Sequence, residues 1–278
     1  MFVGLTEVTG GFQKALMRVI GGLGEAVWAQ WGELRHAAAV IGTVLYVGVQ
    51  LRSWVRTVRS TFAQQVVAIG VESVGLVCWV AIFVGITVVA QLSFWVAEAG
   101  QSQMLGRLLV TVVARELAPV LIGIVVIIRS GSVMATELGI MKVSGQVHML
   151  EVQGISPFLH LVIPRVLAAA VSALCLTIIF ILVALTSGYL FGAMVGKDSR
   201  DLLSFADTVS RATHPKDVLA IFSKSILPAL FAGASCCISG LDVGESLDEV
   251  PRATQRALVR SVVGLSVICA GVSFLTYL

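Results

Sequence analysis

Long apolar runs of helix length, separated by short polar breaks, make up most of this chain. Residues 73–97, 166–196 and 261–278 carry no charged side chain at all. Two further runs, 108–136 and 218–241, are apolar with a few charges set into them. A bilayer core is crossed by about 20 apolar residues in a helix. The pattern therefore predicts five membrane helices, at about 66–97, 108–136, 166–196, 218–241 and 261–278. The fold class is an all-α integral membrane protein.

Residues 1–65 differ. Apolar positions there are mixed with Lys14, Arg18 and several glycines, and no continuous apolar core follows a basic start, so a cleaved signal is not expected. Residues 37–51 are apolar, but a run of that length is too short to span. It reads as an interfacial or re-entrant helix, with Trp28, Trp31 and Trp54 as flanking anchors. Arg52, Arg56 and Arg59 follow on one helix face, suited to anionic headgroups, to a partner, or to a plain positive-inside flank. The chain thus divides into an amphipathic region, 1–65, and a five-helix region, 66–278.

Composition narrows the function. Hydrophobic residues are 57% of the chain, charged residues 13%, and mean hydropathy is +0.96. Soluble domains carry about a quarter charged residues. A net charge of +3 gives no reason to expect a nucleic-acid partner. The five cysteines and four histidines show no metal-ligand spacing, so no metal is expected. With the N-terminus inside, twelve basic residues fall on the inner side and six on the outer, which favours a cytoplasmic N-terminus and an external C-terminus. The polar loop at 197–216 is then external.

Two features invite a functional reading. Residues 140–153, IMKVSGQVHMLEVQ, form an imperfect amphipathic pattern weakened by Gly145. Gly154 suits the position after a helix, and Pro157 blocks continuation. A short cytoplasmic helix across the end of a bundle suits docking to a soluble protein; an inert connector has the same pattern. The second feature is Arg115–Glu116, about seven residues into span two. Charges at that depth are costly unless paired or hydrated. Adjacent helix residues do not face each other, so each needs its own partner in another helix, a wet cavity or a headgroup. A span starting later, near Leu117, would instead leave both at the interface. No nucleophile, zinc or phosphate-loop motif is present. If ATP drives this chain, a separate chain must hydrolyse it.

The stretch RELAPVLIGIVVIIRSGSVMATELGIMKVSGQVHMLEVQGISPFLHLVIPRVLA, from Arg115 onward, resembles the signature region of MCE-associated (Mla/YrbE-type, MlaE-like) ABC transporter permeases. GLDVGESLDEVPRATQRALVRS, at 240–261, resembles a second family block. The resemblance implies an N-terminal interfacial helix followed by five transmembrane helices and a cytoplasmic coupling helix. It implies a non-enzymatic permease of the bacterial inner membrane moving lipid, expected to be phospholipid. Its partners would be a cytoplasmic ABC ATPase that binds the ATP, a periplasmic hexamer of an MCE-domain protein, and a second copy of the chain. By the same resemblance the segment at 140–153, with Lys142, Gln146, Glu151 and Gly154, is the coupling helix, and Arg115 and Glu116 lie near the polar rim of the lipid cavity. Ala118, Gly145 and Gln255 depart from the family pattern, and the last helix lacks an Asp common there. The alternative is a membrane scaffold that anchors partners without transport. An ion-coupled carrier ranks third, because no inverted repeat is visible.

Overall fold

The structure, a computed structural model, describes residues 56–98, 108–194, 215–244 and 246–277, with Gly42 and Ser210 besides. The chain divides into two compact units, Met1–Thr43 and Val44–Leu278, and every helix named below belongs to the second. The expected interfacial stretch at 37–51, apart from Gly42, and its flanking tryptophans lie outside the described residues, as does most of the polar loop at 197–216.

The described residues are helical, with no strand among them. Helix α1 (Arg56–Val66) runs through a π turn (Val67–Val71) into α2 (Glu72–Glu98). A π turn (Val110–Leu117) leads into α3 (Ala118–Val126), and another (Ile127–Gly131) joins it to α4 (Ser132–Val143). The short α5 (Gln146–Val152) follows. A π turn (Phe158–Val162) then opens α6 (Ile163–Met194). Helices α7 (Pro215–Leu241) and α8 (Glu249–Tyr277) complete the bundle.

Five stretches are long and apolar enough to cross a membrane: Arg59–Leu92, Val110–Val143, Phe158–Met194, Pro215–Leu241 and Glu249–Thr276. The number is the one expected from the sequence, but several helices run further. The fifth begins at Glu249, not near 261, and the third at Phe158, not 166. Arg165, Arg252, Arg256 and Arg260 end an apolar count, yet Arg is a good helix former and does not end a helix. The 32 residues of α6 reach about 48 Å, beyond the roughly 30 Å of hydrocarbon.

Span four is the hub. Of its most apolar window 61% is buried, against 22% for span five and 28% for span one. Every residue from Pro228 to Cys237 is buried, and small side chains such as Ala229, Ala232, Gly233, Ala234, Cys236 and Cys237 make up most of that run. Without a hydrophobic drive between helices in lipid, small side chains let backbones approach and gain dispersion contact. At Gly240 an added Cβ would stand 2.6 Å from the Ala135 carbonyl oxygen, so α7 lies against the backbone of α4 there.

Candidate functional site

Span two carries polar groups at both ends of the bundle. At one end the π turn Val110–Leu117 presents Arg115 and Glu116, and Pro119 follows in the first turn of α3. Proline has no N–H, so the carbonyl four residues earlier loses its helical donor. That carbonyl belongs to Arg115. Lys224 of α7 supplies the missing donor, its Nζ lying 3.3 Å from the Arg115 oxygen. The same Nζ donates to Glu116 Oε1 at 2.7 Å, and the lysine side chain is fully buried. Ser273 of α8 donates to Glu116 Oε2 at 3.2 Å. Arg115 Nη1 donates to Asp217 Oδ1 at 3.0 Å, with both side chains largely buried.

The two adjacent charges therefore turn to different partners, and both cationic–anionic contacts are made with α7. Asp217 and Lys224 stand seven residues apart, two turns along one face. Arg115 is enclosed by protein, whereas the Glu116 side chain stays 38% exposed and is the member of the pair that reaches the bundle's surface. From the sequence Lys224 reads only as an interruption of span four and Ser273 as a small residue of span five, and neither of these, nor Asp217, is expected as a partner of Arg115 or Glu116. A lone lysine inside an apolar run, balanced by a lone glutamate in another, was the available signal.

At the other end, the segment expected to be one helix over 140–153 is two. Residues 140–143 are the last turn of α4, and α5 is separate. Gly145 breaks the helix with a left-handed backbone (φ 76°), which L-residues with a Cβ adopt only at a cost. Gly154 does the same after α5 (φ 75°). Its N–H reaches the Glu151 carbonyl at 2.9 Å, and the Ile155 N–H reaches Leu150 at 2.9 Å. This is a Schellman ending. Lys142, Gln146, Glu151 and Gly154 are all exposed. Val147 is the one buried anchor of α5, while Met149 and Val152 are 66% and 75% exposed. A cavity of about 260 Å³ between Met141, Val147, Leu150 and Leu161 lies beneath it. The base of this excursion is closed by an ion pair across its two stems: Arg165 Nη2 of α6 lies 3.0 Å from Glu137 Oε2 of α4.

Among the described residues one more inter-helix pair joins span two to span one. Arg129, in the π turn Ile127–Gly131, donates to the Glu72 carbonyl oxygen and lies 3.4 Å from Glu72 Oε2.

With the geometry in place, comparison with known proteins decides the family. Residues 62–275 match the family described as Permease MlaE, a stretch that covers all five spans but for the first few residues of the first and the last residue of the fifth. The chain belongs to the MlaE permease family. Among MlaE-like relatives, the chain is 31% identical over 202 residues to Protein TRIGALACTOSYLDIACYLGLYCEROL 1, chloroplastic, of Arabidopsis thaliana, covering 73% of this chain and 57% of that one. It is 29% identical over 202 residues to a probable ABC transporter permease protein of Rickettsia prowazekii, with 73% and 77% covered. It is 26% identical over 215 residues to the intermembrane phospholipid transport system permease protein MlaE of Haemophilus influenzae, with 76% and 82% covered. The chain thus spans little more than half of the plant relative and about four fifths of the bacterial ones. Within the MlaE family it is a multi-pass membrane permease of ABC type.

Proposed function

We propose that this chain is the permease of an MCE-type ABC transporter that moves phospholipid between the bacterial inner membrane and a periplasmic MCE-domain hexamer. In this reading two copies form the lipid path, and a cytoplasmic ATPase binds and hydrolyses the ATP. The N-terminus is cytoplasmic and the C-terminus periplasmic. The observation that supports it best is α5: a seven-residue helix set between two left-handed glycines, anchored by one buried valine, with polar and apolar side chains exposed. Such a helix is held in place and left available, as a docking element requires.

ATP-driven closure of the ATPase pair would push on α5. The Glu137–Arg165 pair would pass that displacement to both stems and hence to spans two and three. Work on a lipid requires only that the two states of the path bind it differently. Arg115 and Glu116 are the candidate polar rim, with Glu116 the more accessible. Lys142, Gln146, Glu151 and Gly154 are the candidate ATPase contacts. The relatives' names favour lipid as cargo, since the Haemophilus protein is named for phospholipid transport. A scaffold without transport would need α5 but no lipid path.

The test is co-purification. Glu151→Lys reverses a charge on an exposed site, so insertion and yield are expected to be unchanged while recovery of the ATPase falls at least several-fold. Full recovery of the ATPase with this variant would remove α5 from the docking role.

A further inference from the structure

Among the described residues three inter-helix ion pairs bury their cation: the Lys224, Arg115 and Arg165 side chains are 0%, 10% and 6% exposed. The fourth, Arg129–Glu72, is open, with side chains 38% and 62% exposed. Its neighbours along both helices are exposed too, but apolar: Val67, Val71 and Leu76 on one, Ile128 and Val133 on the other. A flank of that kind faces lipid, and an open ion pair on it is costly among acyl chains but stable at headgroup level.

Depth agrees. Arg129 lies fourteen residues beyond Arg115, about 20 Å along the helix. With the Arg115–Glu116 cluster near one boundary of a roughly 30 Å hydrocarbon layer, Arg129 approaches the other, and its long stem lets the guanidinium reach headgroups. Both residues also sit at π turns, Glu72 directly after Val67–Val71 and Arg129 inside Ile127–Gly131. Such turns recur at functional sites.

The chemistry is specific. Arg129 spends one nitrogen on the Glu72 carbonyl oxygen, and its contact with the carboxylate is long, at 3.4 Å. A guanidinium has five N–H donors in a fork that matches a phosphate. The carboxylate, loosely held, keeps acceptors for an ammonium. A cation and an anion side by side complement a phosphate and an amine side by side.

We propose that Arg129 and Glu72 form a lateral docking site for a zwitterionic phospholipid headgroup, the phosphate on Arg129 and the ammonium on Glu72. This rests on the lipid-permease reading and narrows its cargo: a lipid would meet the bundle on the flank of spans one and two, about 20 Å along span two from the Arg115–Glu116 cluster.

The experiment uses the full chain with its co-purifying partners, in nanodiscs of equal phosphatidylethanolamine and phosphatidylglycerol, followed by extraction into detergent and mass spectrometry of retained lipid. The wild type is expected to keep phosphatidylethanolamine in excess. Glu72→Gln, nearly isosteric at an exposed position, is expected to lower that preference roughly tenfold, as loss of one charged hydrogen bond would. Arg129→Gln is expected to lower retention of both lipids. An unchanged ratio in Glu72→Gln overturns the site, whatever Arg129→Gln does to folding. So does a changed dimer-to-monomer ratio at constant lipid ratio, which would make this flank a protein interface. Failure of the permease reading looks different: the lipid preference and its loss in Glu72→Gln would persist without any ATP-driven transfer.

Discussion

Replacing Glu116 by Ala is expected to destabilise the protein by roughly 3–5 kcal/mol, the cost of stranding a buried charge. The charge is that of Lys224, whose fully buried side chain keeps only the Arg115 carbonyl once the carboxylate is gone. For a chain of this size the apparent melting temperature should fall by roughly 10 °C. Thermal unfolding in detergent, followed by tryptophan fluorescence, measures it. The double variant Glu116→Leu with Lys224→Met removes both charges and is expected to recover most of the loss. A melting curve for Glu116→Ala within about two degrees of wild type would show that the pair does not hold spans two and four together. The expected loss gives Glu116, proposed for the polar rim, a structural duty. Any transport defect in Glu116→Ala must be compared with that of Glu116→Gln, which keeps hydrogen bonds to Lys224 and Ser273.

The second large effect is expected at Gly85. A Cβ there would overlap the Ala184 carbonyl oxygen and stand 2.8 Å from the Ala184 carbonyl carbon, both backbone atoms that cannot rotate away. The facing Gly188 is equally tight, its added Cβ lying 2.9 Å from the Gly85 oxygen. Spans one and three therefore cross with small residues at each turn, Gly85 against Ala184 and Gly188. Gly85→Val must push α2 off α6, at the upper end of the roughly 1–3 kcal/mol typical of overpacking or above it. Gly75, on the same helix, has nothing within 4 Å of its added Cβ, so Gly75→Val is expected to be tolerated. The comparison is read as the fraction of each variant that elutes as a single species after solubilisation. Equal behaviour of the two variants would contradict the close crossing.

Much of this was legible in the sequence for a simple reason. A bilayer enforces long apolar helices, so five runs became five spans. Gly154 and Pro157 marked the end of α5 because only a few residue types suit a left-handed cap and a stop. By propensity Gly145 only weakens a helix, but its φ of 76° divides this one in two. The partners of Arg115 and Glu116 were not legible. Asp217 and Lys224 lie more than a hundred residues away, and pairing across a bundle depends on which faces meet. The role of Pro119, which frees the Arg115 carbonyl for Lys224, follows from proline's chemistry but needs a donor that only the fold supplies. Helix starts read late from an apolar pattern because charges stop an apolar count without stopping a helix.

The most direct test of the permease reading is lipid movement itself. The chain, reconstituted in liposomes with the ATPase that co-purifies with it, is given a fluorescent phospholipid and its transfer to acceptor is followed with and without ATP. Transfer that requires ATP, and that is lost when Glu151→Lys uncouples the ATPase, is the expected result. An ATPase that binds and hydrolyses ATP on the permease while phospholipid transfer stays at the ATP-free rate would contradict it and favour a scaffold.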